Sequence, residues 1–147
     1  SDEEAVGRLL KHPRSNITLS DAGAHLTFFN DAGYGLYMLE KWVRENNLMS
    51  KEKAIYNLTG KQADIYRIDQ RGRLVPGQYA DMMLIDFDKV GVSKTYRVND
   101  LPGGSSRLNI DGHGIHSVWI NGEKVFNENS LIYNKNLPGK VLRGFHA

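Results

Sequence analysis

The sequence contains no cysteine, which excludes a disulfide framework, a thiolate nucleophile and cysteine ligation of a metal. No apolar stretch approaches the roughly 20 residues a helix needs to span a bilayer, so no membrane-crossing helix is expected. A strong excess of charge of one sign is also missing. The formal net charge is +2, and the basic residues are scattered from Arg8 to Arg143 with no block that could track phosphates, which argues against a nucleic-acid partner. No internal repeat or low-complexity tract appears. No Gly-x-Ser-x-Gly elbow and no Gly-Lys-Ser/Thr phosphate loop is present. The acidic opening Asp2-Glu3-Glu4 is unlike the basic start of a secretory signal. A reducing cytoplasm is the expected location, and the absence of a starting methionine suggests numbering from inside a longer chain.

What is present is an ordinary globular composition, with 40% hydrophobic and 24% charged residues over 147 positions. The periodicity divides the chain. Asp2 is a plausible N-cap for a helix with Val6, Leu9 and Leu10 on its apolar face, stopped by Pro13. Ile17-Thr18-Leu19 is a short β-prone run leading into Ser20-Asp21-Ala22-Gly23. Leu36, Met38, Leu39, Trp42 and Val43 make a helical stripe over roughly residues 35–46. Ser50 should cap the next helix, with Ala54, Ile55 and Leu58 on one face, and Thr59-Gly60 opens a short turn containing Ala63 and Ile65.

Beyond Arg67 the pattern becomes short β-prone runs punctuated by glycine and proline. Met82-Met83-Leu84-Ile85 reads as a strand. Ser117–Ile120 and Glu123–Phe126 flank Asn121-Gly122, a strong hairpin signal. The fold class expected is α+β, with the boundary between residues 65 and 73. About three or four strands are too few for a self-contained sandwich, and one strand among helices buries nothing by itself. Both halves read as parts of larger architectures.

Several residues are candidates for chemistry. Asp21 sits just past a strand's C-terminal end, where α/β folds place their sites, although Asp followed by Ala-Gly is also ordinary turn chemistry. His25, in the same loop, could join Asp21 as a metal pair or an acid–base pair. No third ligand lies nearby in sequence. His113 and His116 are expected on an exposed loop, since Gly112 and Gly114 preclude a helix there. Pro102-Gly103-Gly104-Ser105-Ser106-Arg107 reads as a surface turn with one arginine.

Taken together, these motifs resemble the amidohydrolase superfamily. Ser20-Asp21-Ala22-Gly23-Ala24-His25 is similar to its eighth-strand motif. Leu58–Ala63 followed by Arg71–Asp86 resembles its barrel-exit segment, as do Val118–Gly122 and Pro138–Arg143. The branch most resembled is the D-aminoacylase, or N-acyl-D-amino-acid deacylase, group, and the likeness runs through nearly the whole chain.

The resemblance implies a metal-dependent (β/α)₈ barrel beside a small β-sandwich. Residues 1–66 would supply the last helix-strand-helix unit of the barrel, and 67–147 the C-terminal share of the sandwich. It implies a zinc enzyme that hydrolyses the C–N bond of an N-acyl-(D-)amino acid or a similar small amide. Asp21 would be the catalytic proton shuttle, within possible reach of the metal. The metal-binding histidines would lie upstream, outside this sequence. His25 would sit at the pocket rim or on substrate. Members of this branch carry an arginine soon after the catalytic aspartate, and the stretch Leu26–Tyr34 has none.

On this reading the 147 residues alone are inactive, their partners being the small amide substrate and the rest of the enzyme. Unpaired strand edges then favour self-association. The alternative is a non-catalytic α+β interaction module.

Overall fold

A computed structural model describes residues 2–22, 26–128, 130–133 and 136–143. Four helical elements come first: α1 (Asp2–Lys11), α2 (Tyr34–Tyr37) running into a π-helical stretch over Met38–Glu45, α3 (Lys51–Leu58) and α4 (Gly60–Tyr66). Eight short strands follow among the described residues: β1 (Met82–Ile85), β2 (Gly91–Val92), β3 (Tyr96–Val98), β4 (Arg107–Asn109), β5 (Gly112–His113), β6 (Ile115–Ile120), β7 (Glu123–Asn127) and β8 (Ser130–Leu131). Helices and antiparallel sheet are mixed, as an α+β chain requires.

The apolar stripe works as its spacing predicts. Met38, Leu39, Trp42 and Val43 are buried and form the core with Ala54 and Val90. Each fully buried aliphatic side chain of this kind stabilises the fold by about 1.5–3 kcal/mol. The winding was not legible in the periodicity: the Asn46 N–H reaches the Lys41 carbonyl at 2.9 Å, five residues back, a rare π geometry. Ser50 caps α3, its hydroxyl accepting the Lys53 N–H at 3.2 Å. The α1 expectation fails in part. Val6 and Leu9 are exposed, whereas Gly7 is buried, because a Cβ there would lie 3.3 Å from Leu48 Cδ1 and 3.5 Å from the Trp42 ring. In α4, Ala63 is buried and Ile65 is exposed.

The main sheet has the order β1-β6-β7-β8, antiparallel throughout. Its β6–β7 hairpin turns at Asn121-Gly122 with φ of 50° and 82°, the paired positive values of the turn that Asn-Gly favours. Two small ribbons, β2–β5 and β3–β4, complete the β half. The strand count exceeds the sequence expectation because the ribbon strands are two or three residues long, too short to show alternation. His113 and His116 lie on β5 and β6, not on a loop, and both are exposed. Gly114 makes the tight bend between those strands.

The hairpin tip is tied down by charge and amides. Arg71 stacks 4.3 Å over the Tyr79 ring, pairs with Asp81, and donates to Asn121 Oδ1 at 2.6 Å. Asp81 in turn accepts the Asn121 N–H at 2.7 Å. The helical half grips the β half through Glu40 and Arg44. Glu40 accepts the Val92 N–H at 3.0 Å, and Arg44 donates to the Val90 and Phe87 carbonyls. Gly91 lets the two approach closely, since a Cβ there would come within 2.5 Å of the Glu40 carboxylate carbon.

Candidate functional site

The expected strand before Asp21 does not form. Residues 15–20 belong to no sheet, and no described strand lies beside them to accept or donate a ladder of hydrogen bonds. Side chains of α4 serve instead. Lys61 donates to the Ser15 and Pro13 carbonyls. Gln62 Nε2 donates to the Ile17 carbonyl at 2.9 Å and to the Asn57 carbonyl at 2.8 Å, and it exchanges amide hydrogen bonds with Asn16 at 2.7 and 3.0 Å. Sequence spacing could not reveal the contacts to Pro13, Ser15, Asn16 and Ile17, which join residues more than 40 positions apart.

The Thr59–Ala63 run is therefore structurally dense. Thr59 Oγ1 donates to the Ile55 carbonyl at 2.7 Å, ending α3. Ala63 packs under Gly72, where a Cβ would lie 2.6 Å from the Ala63 methyl group.

Asp21 is exposed and has a φ of 52°. This left-handed backbone conformation is one that aspartate tolerates better than most residues. The adjacent turn uses Ser20, whose hydroxyl accepts the Ala22 N–H at 3.2 Å. Among the described residues nothing hydrogen-bonds the Asp21 carboxylate, so the turn does not consume it. His25 lies outside the described residues. The loop resumes at Leu26, whose carbonyl accepts the Leu108 N–H at 2.7 Å. Asn30 Nδ2 donates to the Leu108 carbonyl at 3.1 Å, while its Oδ1 accepts the Ala32 N–H at 3.0 Å. Asn30-Asp31-Ala32 carries a recognisable Asx-turn signal, but its partner on β4 is set only by tertiary structure.

The remaining candidates separate from Asp21 in chemistry. Arg107 makes a two-pronged pair with Asp100 at 2.7 Å for each bond. These hydrogen bonds hold the Asp100 carboxyl below its ordinary range and raise Arg107, so the Gly-rich turn before it is no phosphate cradle. Among the described residues no group of three His, Asp or Glu converges as metal ligands. A zinc site needs three or four such donors; the described residues do not fit one, and Asp21 could contribute at most a single ligand.

The family model described as the amidohydrolase family matches residues 2–126. The chain belongs to the amidohydrolase family. It is 31% identical to an N-acyl-D-aspartate deacylase of Alcaligenes xylosoxydans xylosoxydans over 96% of its own length and 26% of that protein's. It is 30% identical to an N-acyl-D-glutamate deacylase of the same organism, over 97% of this chain and 27% of the relative. Among solved structures it is similar to an N-acyl-D-glutamate deacylase from Bordetella bronchiseptica, complexed with zinc and a phosphonate inhibitor. That likeness has a TM-score of 0.63 and 30% identity, covering 85% of this chain and 25% of the other. A D-aminoacylase structure matches 67% of this chain and 19% of its own, with a TM-score of 0.50 and 27% identity. This amidohydrolase chain thus spans about a quarter of the length of the curated deacylases it matches.

Proposed function

We propose that this chain is part of a metal-dependent deacylase that hydrolyses the C–N bond of an N-acyl-(D-)amino acid, with Asp21 as its proton-transfer group. The observation carrying this reading is the similarity to N-acyl-D-aspartate and N-acyl-D-glutamate deacylases over nearly all of the chain. In this reading residues 1–66 complete a (β/α)₈ barrel, and 67–147 contribute strands to a small β-sandwich. Two features support it. Residues 15–20 belong to no helix or sheet and have no described strand alongside, and the main sheet leaves Met83, Leu84 and Leu131 exposed.

The zinc that such an enzyme uses would need ligands beyond the described residues, which do not make up its site. What the chain itself contributes is a carboxylate that its local turn leaves unengaged. As water attacks the amide carbon, Asp21 takes the water proton while the new C–O bond forms. It then returns that proton to the amide nitrogen as the C–N bond breaks, releasing a carboxylic acid and an amino acid. Base and acid are the same group, so no net proton is gained or lost at Asp21 over the cycle.

The test is Asp21→Asn in the full-length enzyme, assayed for release of free amino acid from N-acyl-D-aspartate and N-acyl-D-glutamate. The amide keeps the size of the side chain and removes its proton-accepting oxygen. General acid–base groups contribute about 10²- to 10⁴-fold, so kcat should fall by at least about 100-fold with zinc content unchanged. Full activity in this variant would remove Asp21 from the mechanism.

A further inference from the structure

We infer that Gln62 is the positioning residue for Asp21, holding from α4 the segment that runs directly into it; this rests on the acid–base reading of Asp21. Residues 15–22 are described without a break, and side chains rather than a sheet hold them. Lys61 and Gln62 stand next to each other in α4. Lys61 Nζ donates to the Ser15 carbonyl, and Gln62 Nε2 donates to the Ile17 carbonyl at 2.9 Å. These carbonyls, two residues apart, turn to the same helix. The Thr18 carbonyl turns to α2 instead, where it accepts the Tyr34 hydroxyl at 3.5 Å. Beyond it, the Ser20 hydroxyl accepts the Ala22 N–H at 3.2 Å and shapes the turn that carries Asp21.

Gln62 is the node of this arrangement. Its amide nitrogen reaches Asn16 Oδ1 at 2.7 Å, the Asn57 carbonyl at 2.8 Å and the Ile17 carbonyl at 2.9 Å. Backbone carbonyls only accept, so the nitrogen must face them and the amide has a single orientation. Its Oε1 is left to accept Asn16 Nδ2 at 3.0 Å. One side chain thus ties two consecutive residues of the segment to α3, at a buried residue of that helix. Lys61, a point charge on a flexible stem, fixes direction far less. Ile17 packs against the core, but Leu19 is 80% exposed. Among the described residues the Ile17 carbonyl is therefore the last close attachment to another element before Asp21, with only the long Tyr34 contact beyond it. Gln62 acts on Asp21 through Thr18, Leu19 and Ser20. A carboxylate that must meet both water and leaving amine needs close placement, and a misplacement of about 1 Å costs on the order of 100-fold.

The test is a double-mutant cycle in the full-length enzyme. Gln62→Met keeps the side chain's length and its helix preference but removes the donor to Ile17. Gln62→Glu keeps an oxygen for Asn16 Nδ2 and sets a second oxygen against the Ile17 carbonyl. Gln62→Met introduces no charge, so it carries the test if Gln62→Glu does not fold. If Gln62 places Asp21, the variants hold a normal complement of zinc and lower kcat by about 10- to 100-fold, while KM stays within about twofold. The effect must also disappear with the carboxylate: Gln62→Met added to Asp21→Asn lowers kcat by less than about twofold further. A normal kcat in Gln62→Met would overturn the inference, since packing of Ile17 alone would then suffice. So would an equal Gln62→Met effect with and without the Asp21 carboxylate, because Gln62 would then act on something other than Asp21. Asp21→Asn alone reads the acid–base role. Full activity there removes that role, whereas a slow Asp21→Asn enzyme in which the two effects multiply removes only the positioning.

Discussion

Substituting Gly114 by alanine should be among the most damaging single-methyl changes available in this chain. Gly114 has a φ of 72°, and its carbonyl accepts the Asp86 N–H at 2.8 Å. A Cβ at this position would lie 2.4 Å from Val90 N, 2.5 Å from Val90 Cα and 2.7 Å from the Lys89 carbonyl carbon. All three are backbone atoms, so no rotamer change relieves the clash, and Val90 is fully buried in the core. The left-handed conformation costs an L-residue about 1–2 kcal/mol. Overpacking a closed site adds about 1–3 kcal/mol, for a total loss of about 2–5 kcal/mol.

Gly77→Ala provides the control. Its φ is 89°, but nothing lies within 4 Å of a Cβ there, so it should cost only the backbone contribution of about 1–2 kcal/mol. Both alanines restrict the unfolded chain similarly, and that effect cancels in the comparison. Urea unfolding of the two variants, with matched denaturant slopes, measures the difference. Equal losses in the two would refute the packing argument. So would recovery of Gly114→Ala by a second change, Val90→Ala, because the atoms struck belong to the backbone and not to the valine side chain.

Two further outcomes are expected. Asp64 is held below the usual carboxylate range by a hydrogen bond from Arg73, and Asp100 likewise by Arg107. Lowered folded-state values contribute stability above the unfolded value of about 3.9 and lose it as pH falls through the folded values. Unfolding midpoints should therefore be insensitive to these groups above about pH 5 and decline below about pH 4. Asp64→Asn with Asp100→Asn should flatten that decline; an unchanged acid limb in the double variant would refute the assignment. The second outcome concerns β1, a sheet edge with exposed Met83 and Leu84. Sedimentation velocity of the isolated chain should show concentration-dependent association that Leu84→Lys suppresses, whereas a clean monomer at all concentrations would contradict it.

Local signals identified the elements whose causes are local. Ser50 capped α3 because its hydroxyl reaches Lys53, three residues away. Asn121-Gly122 turned the hairpin because both residues accept positive φ. The stripe from Met38 to Val43 became core because helical spacing alone places those side chains on one side. Asp21 stands out locally as a polar residue after a β-prone run, and the family resemblance in the linked motifs sets it above an ordinary turn aspartate.

Other features depended on residues distant in sequence. Ile17-Thr18-Leu19 has strand propensity, but a strand exists only where another supplies hydrogen bonds, and here Gln62 takes the Ile17 carbonyl instead. The face α1 buries is not the one its apolar residues Val6 and Leu9 mark. What decides it is the close approach of Leu48 and Trp42 to Gly7, a residue with no side chain to register in a periodicity. The Asp21 loop shows the same division. Its composition specified a turn with a carboxylate in it, while the attachment of Asn30 and Leu26 to Leu108 came from the path of the chain through space. Short-range hydrogen bonds and helical spacing are written within a few residues of sequence. Edge pairing and backbone approach depend on which distant segment arrives alongside, and only the tertiary structure determines that.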